Sequence, residues 1–366
     1  MTATVALDPW DRLQAADFAE WEALAGTSAA SNPFLMPGFV QAAARWLTPH
    51  TPPTLLRVRD GGGALIGLAC LERRRPNLFV PLPHWRGYRH AHAFQSGLLH
   101  APGAAETVAA AMIDLMAQPR SPAPVLLLHN LVAECPLSAA LWATRDPRLQ
   151  WHETRRFQRP VLRARAGIST AARMRASVLK DLRRRLRRLQ DQGEVATRIL
   201  QGGDADQAAA ERHLALEHAG WKGEAGSSLH ASAAQRGFFL EMAARLAPTG
   251  ALVFVETLCA GKVIASTSNL MSGQVLSGFK TGWDPEYRQA SPGRLNEWQL
   301  FEAMHARWPH LRQFDSQAQE NSYLAELLPD QQVMVSGVLA AGSAANRWLS
   351  AARALRPLAY RLGHDD

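Results

Sequence analysis

Two glycine turns, Ala260-Gly261-Lys262 and Ser272-Gly273-Gln274, constrain this chain more than any other feature, because they cut residues 252–283 into three apolar runs. Turns this short join antiparallel neighbours, so Leu252–Cys259, Val263–Met271 and Val275–Trp283 read as a three-stranded meander. Helical spacing surrounds it. Val178, Leu182, Leu186 and Leu189 recur every three or four residues across Ser177–Gln192, and Gly193 stops that helix. A short strand, Glu194–Leu200, leads through Gly202-Gly203 to a helix over Asp204–His218 with Asp204 as its N-cap. A second helix, Ala231–Leu246, is stopped by Pro248 and Gly250. Beyond the meander come a helix over Arg294–Arg307, a strand at Leu311–Asp315, a short helix at Asn321–Leu327 and a last strand at Gln332–Ser336. The fold class is α/β in the α+β sense: mixed, largely antiparallel sheets flanked by helices.

At 366 residues the chain is too long for one ordinary core, and two domains are expected. The first half repeats the plan in a worn form. Helices at Pro9–Leu24 and Pro37–Trp46 precede a hairpin, Leu55–Arg59 and Leu65–Leu71, around Gly61-Gly62-Gly63; a helix at Ala104–Ala117 and a strand at Pro124–His129 follow. The boundaries read as residues 1–165 and 166–340, with proline-bearing Arg155–Arg165 as the crossing and a cationic amphipathic tail at 341–366.

The net charge of +8 is local. Between Arg155 and Arg188 stand thirteen Arg or Lys and one acid, Asp181, so the remainder is about four units negative. That pattern favours one anionic contact, a membrane surface or other polyanion meeting residues 173–188, over a general nucleic-acid coat. Cys70, Cys135 and Cys259 are too scattered for disulfides or zinc and suit a reducing cytoplasm. Met1–Trp10 has no export signal, and no run is long enough to span a membrane. No metal-binding motif is present, and no metal ligand is assigned.

Between the meander and the next helix lies Trp283-Asp-Pro-Glu-Tyr-Arg288-Gln289-Ala-Ser291-Pro-Gly293-Arg294-Leu295. An arginine, a small residue three later and a glycine two after that, at a strand-to-helix turn, suit a pyrophosphate. Small residues let the backbone approach, and the helix start offers N–H donors and a positive dipole end. The segment resembles the acyl-CoA loop of the GNAT acetyltransferases, Gln/Arg-x-x-Gly-x-Gly/Ala, often preceded by Pro-Glu-Tyr. Ser291 replaces the first glycine, and Pro292 removes a donor. The element order is likewise that of the GNAT fold, and His84–His100 in the first half lacks the loop pattern. The whole resembles a tandem GNAT-like acyltransferase whose second copy alone holds the donor.

Arg175-Ala-Ser-Val-Leu-Lys180 through Leu189 looks like the basic helix that opens the second domain of Fem-type peptidyltransferases. Leu216-Glu-His-Ala-Gly-Trp221-Lys222-Gly resembles a signature of the cellulose-biosynthesis (CelD-type) acetyltransferases, and Phe314-Asp315 with Asn321 and Tyr323 resembles that family's fifth strand and next helix. These resemblances imply transfer of an acyl group from acetyl-CoA or another acyl-CoA to an amine or hydroxyl, often on a saccharide or envelope precursor. They imply donor binding by Arg288, Gln289, Ser291, Gly293 and Arg294. Tyr323 would protonate the departing sulfur, and Asp315 would act as base or acceptor ligand. Trp221, Lys222 and Asp284 would meet the acceptor, with peripheral contact at the inner face of the membrane through the basic helix. The bland readings are a helix cap at Ser291, a core tyrosine, capping aspartates at 284 and 315, and a solvated arginine face. An aminoacyl-tRNA-dependent transferase and a silent polyanion-binding fold are the alternatives.

Overall fold

The computed structural model describes residues 3–350 apart from 78–79, 81, 119–120, 123, 144–148, 166, 221–225, 227, 343–344 and 348. Its elements run β1 (Thr4–Pro9), α1 (Ala15–Thr27), α2 (Pro37–Trp46), β2 (Thr54–Arg59), β3 (Leu65–Arg74), β4 (His84–Gly87), β5 (Leu99–His100), α3 (Ala105–Ala117), β6 (Val125–Val132), α4 (Pro136–Ala143) and β7 (Leu149–Arg163). They continue with α5 (Thr170–Arg173), α6 (Ala176–Gln190), β8 (Val195–Gln201), α7 (Gln207–Ala219), α8 (Ala233–Leu246), β9 (Leu252–Cys259), β10 (Lys262–Ser272) and β11 (Val275–Trp283). The last are α9 (Pro292–Arg307), β12 (Gln313–Asp315), α10 (Leu324–Leu327) and β13 (Asp330–Ala341).

These elements fall into two compact units that are discontinuous in sequence. Unit 1 takes residues 1–35, 50–157 and 333–366; unit 2 takes 36–49 and 158–332. Unit 1 has the strand order β1-β2-β3-β4-β6-β13, antiparallel except for the parallel pair β4 and β6. Unit 2 has the order β8-β9-β10-β11-β12-β7, antiparallel except for the parallel pair β11 and β12. Each unit is thus a meander, one parallel step and a closing strand. Unit 1 is closed by β13, from the far end of the sequence, and unit 2 by residues 161–163 of β7, near the start of its own main segment.

Helix α2 belongs with unit 2. Gly38 sits where a Cβ would stand 2.9 Å from Leu246, and at Gly237 a Cβ would stand 2.5 Å from the Trp46 ring. Glycine at both positions lets α2 and α8 approach closely. Phe39 then meets the rings of Phe238 and Phe279 edge-on, at 5.4 and 6.0 Å.

The meander follows its turns. Ala260 (φ 47°) and Gly261 (φ 78°) form a two-residue type I′ link, since Cys259 pairs with Lys262; Gly273 (φ 55°) leads the second link. Several expectations need correction. Residues 4–9 form an edge strand, so α1 begins at Ala15, where Gln14 and Asp17 make a capping box. Residues 155–163, in the stretch expected to cross between the copies, are strand. The N-cap of α7 is Asp206, which accepts from the Ala209 N–H at 2.8 Å; Asp204 lies in the preceding 3-10 turn. The tail beyond residue 350 lies outside the described residues.

Candidate functional site

The site is built at the end of β11. Residues Val275–Ser277 pair with Gln313–Asp315 of β12, and no further rungs follow. The register against β10 also slips between Ser268 and Asn269, opposite Lys280 and Gly278, so the ladder skips Phe279. Such a bulge re-aims a strand and takes main-chain groups out of regular pairing. The second half of β11 therefore runs beside β10 alone.

At its end Asp284 accepts from the Glu286 N–H at 3.0 Å and pairs with Lys262 at 2.7 Å, which starts a 3-10 turn over Pro285–Ala290. Ser291 then takes a left-handed conformation (φ 50°, ψ 60°), rare for a residue with a side chain, and α9 begins at Pro292. The Ser291 hydroxyl does not cap the helix. It accepts from Arg185 Nη1 of α6 at 2.5 Å, and the same nitrogen donates to the Gln289 carbonyl at 3.4 Å. Asp181 receives Arg185 Nε at 2.6 Å and also the Arg184 guanidinium, and these two hydrogen bonds hold its carboxyl below the ordinary carboxylate range. A Cβ on Gly293 would stand 3.2 Å from Trp283 Cδ1 and 3.3 Å from Thr281 Cγ2, so the helix start lies directly against β11.

Of the predicted donor residues, Arg288 and Gln289 are exposed on the turn, while Ser291, Gly293 and Arg294 gather at the start of α9. Arg294 pairs with Glu326 at 2.8 Å and lies 5.9 Å from the Tyr323 ring centre. Tyr323 is 40% exposed as a residue, but its hydroxyl is turned inward and donates to Glu297 Oε1 at 2.7 Å. Thr281 Oγ1 donates to the same oxygen at 3.2 Å. Burial, then the Glu297 charge beside it, pushes the Tyr323 hydroxyl well above its ordinary range.

Asp315 ends β12 away from this cluster. It pairs with the buried Arg159 at 3.4 Å and accepts from the Gln317 N–H at 2.9 Å. Gln317 has φ 53° and receives Arg159 Nη1 at 2.8 Å, so this pair fixes the loop after β12. Trp221 and Lys222 lie outside the described residues. Sequence reasoning missed three residues. Arg185 was read only as part of a basic face. Glu297 could have been found from its i+4 spacing to Gly293, which puts both on one face of α9. Thr281 lies two residues before Trp283, on the same side of the strand. Among the described residues no group of three His, Cys, Asp or Glu is placed to hold a metal, and no helix is long and apolar enough to cross a membrane.

Residues 176–323 match the family model of an acetyltransferase (GNAT) domain. No curated protein matches the chain. Among solved structures, FemX is similar at 9% identity over 88% of this chain and 95% of its own, with a TM-score of 0.59. A conserved protein of unknown function from Bacteroides thetaiotaomicron gives 11%, 92%, 100% and 0.57 for the same four quantities. The C-terminal domain of a putative lysylphosphatidylglycerol synthetase from Agrobacterium fabrum gives 10%, 93%, 95% and 0.54. Likeness at such identities speaks for the fold alone. The chain has a tandem GNAT-like fold, and the stretch that matches the acetyltransferase domain contains the turn, the basic helix and the Tyr323 cluster.

Proposed function

We propose that this protein is an acyltransferase that takes its acyl group from acyl-CoA and passes it directly to an amine or hydroxyl acceptor. The observation that carries this reading is the turn itself. A left-handed Ser291, a Gly293 pressed against β11 and the Arg185 guanidinium converge where β11 has parted from β12. A pyrophosphate there would meet the positive end of α9 and an arginine able to exchange its serine contact for phosphate oxygens. The thioester arm would then run along β11, with main-chain N–H groups at its bulge polarising the carbonyl. Arg288, Gln289 and Arg294 flank the same turn, and Tyr323 reaches Glu297, one helical turn into α9, for proton traffic. The acceptor class, a saccharide or envelope precursor, rests on the CelD-type sequence resemblance, as do its assigned contacts at Trp221, Lys222 and Asp284.

Calorimetric titration of acetyl-CoA tests the reading, with Gly293→Trp alongside. Micromolar binding that disappears in the variant supports it; no binding to acetyl-CoA, longer acyl-CoA or free CoA overturns it. A second reading is favoured by the exposed Arg183, Arg184, Arg187 and Arg188 of α6, which could hold the backbone of an aminoacyl-tRNA. Retention of charged tRNA that falls steeply with salt, without acetyl-CoA binding, would select it.

A further inference from the structure

The buried carboxylate of Glu297 lies beside the donor turn, and the reading above gives it no task. It stands one helical turn after Gly293, is 5% exposed, and receives hydroxyl protons from Tyr323 and Thr281 on a single oxygen. A carboxylate in so dry a place costs several kcal/mol unless donors or a countercharge offset it. Arg294 lies beside the Tyr323 ring and is held by Glu326. Tyr323 spans the boundary: its ring reaches solvent while its hydroxyl points back to the carboxylate. A tyrosine whose only hydroxyl proton is committed inward cannot offer that proton to a sulfur. Its oxygen, which also meets the Thr281 hydroxyl, has a second lone pair that can accept one.

We propose, on the acyl-CoA reading above, that Glu297 is a positioning residue that makes Tyr323 a two-way proton carrier. The acceptor nitrogen or oxygen attacks the thioester carbonyl carbon, forming the new C–N or C–O bond. As it does so its proton passes to the Tyr323 oxygen, and the tyrosine's own proton moves to Glu297. The C–S bond then breaks and its electron pair goes to sulfur. Glu297 returns its proton to Tyr323, which gives the other to the thiolate. Acceptor plus thioester becomes acylated acceptor plus thiol, with Glu297 and Tyr323 restored and no further reactant consumed.

The test compares wild type, Glu297→Gln and Tyr323→Phe in three measurements: acetyl-CoA affinity, release of CoA thiol from acetyl-CoA with water as acceptor, and the resonances of ¹³Cζ-labelled tyrosine across pH. Both variants should keep acetyl-CoA affinity within about threefold, since neither residue sits in the phosphate turn. Both should slow thiol release by about 100-fold, the scale of general acid–base catalysis. Tyr323→Phe assigns the tyrosine resonance, and in Glu297→Gln that resonance should move and begin titrating at lower pH. Unchanged thiol release in Glu297→Gln overturns the proposal, and so does an unmoved Tyr323 resonance. Failure of wild type to bind acetyl-CoA overturns the donor reading as well, which separates that outcome from loss of the Glu297 role alone.

Discussion

Arg185 of α6 donates to the Ser291 hydroxyl of the turn before α9 at 2.5 Å, which fastens this basic helix to the candidate donor turn. The contact gives one of the thirteen clustered cations a specific task and leaves Arg183, Arg184, Arg187 and Arg188 exposed.

Arg185→Ala should therefore weaken acetyl-CoA binding about tenfold, the size of a lost charge-assisted hydrogen bond. The melting temperature should move little, because a partly exposed pair such as Arg185 with Asp181 contributes at most about 1 kcal/mol. Calorimetry and a thermal melt separate the two effects.

Gly282 and Gly293 should respond differently to alanine. A Cβ at Gly282 would lie 2.3 Å from the Glu217 main-chain nitrogen, and backbone cannot step aside. Gly282→Ala should cost about 3 kcal/mol in denaturant unfolding, the upper range for overpacking. Gly293→Ala meets side-chain atoms at 3.2 Å and should cost about 1 kcal/mol or less.

The buried Arg159–Asp315 pair should act mainly on stability. Asp315→Asn leaves Arg159, which is 1% exposed, without its countercharge and should cost about 3–5 kcal/mol. Pairing it with Arg159→Met should recover much of that loss. A double-mutant cycle followed by chemical unfolding checks this. Loss of turnover without loss of stability would instead place Asp315 in the chemistry.

His129 should shape the acid side of the stability curve. It is 8% exposed, and burial, with Arg89 and Arg86 adding to it, depresses its pKa to about 3. The unfolded chain, with histidine near 6.5, binds the proton the folded one refuses, so this stability is full above pH 6.5 and is lost as pH falls toward 3. Between pH 7 and pH 5 the loss should be about 2 kcal/mol. His129→Gln should flatten that slope when unfolding is measured at both pH values.

The parts of the fold legible in the sequence were those fixed locally. Hairpins at Gly261 and Gly273 show because two-residue links demand left-handed residues, and α6 shows because its leucines repeat at the helical period. The β1 strand was missed because an edge strand of six residues alternates weakly and lies beside a helical run. Helix α2 was recognised as a helix, but periodicity gives a buried face without saying which core receives it. The fit of Gly38 to Leu246 and of Trp46 to Gly237 decides that. At the site, Ser291 and Gly293 were readable from turn chemistry. The inward aim of Tyr323 was not, because it depends on Glu297 and Thr281 arriving from two other elements.

The exchange of segments between the units bears on how the chain is made. Helix α2 leaves the ribosome before residues 50–157, yet its partner α8 follows only after them. Its apolar face, with Phe39 at the centre, must wait uncovered while residues 50–157 of the other unit are translated. Unit 1 in turn lacks its closing strand until residues 333–341 emerge. Neither half can finish first, so severing the chain near residue 165 would give two incomplete pieces, and co-expressed halves should complement each other where single ones aggregate.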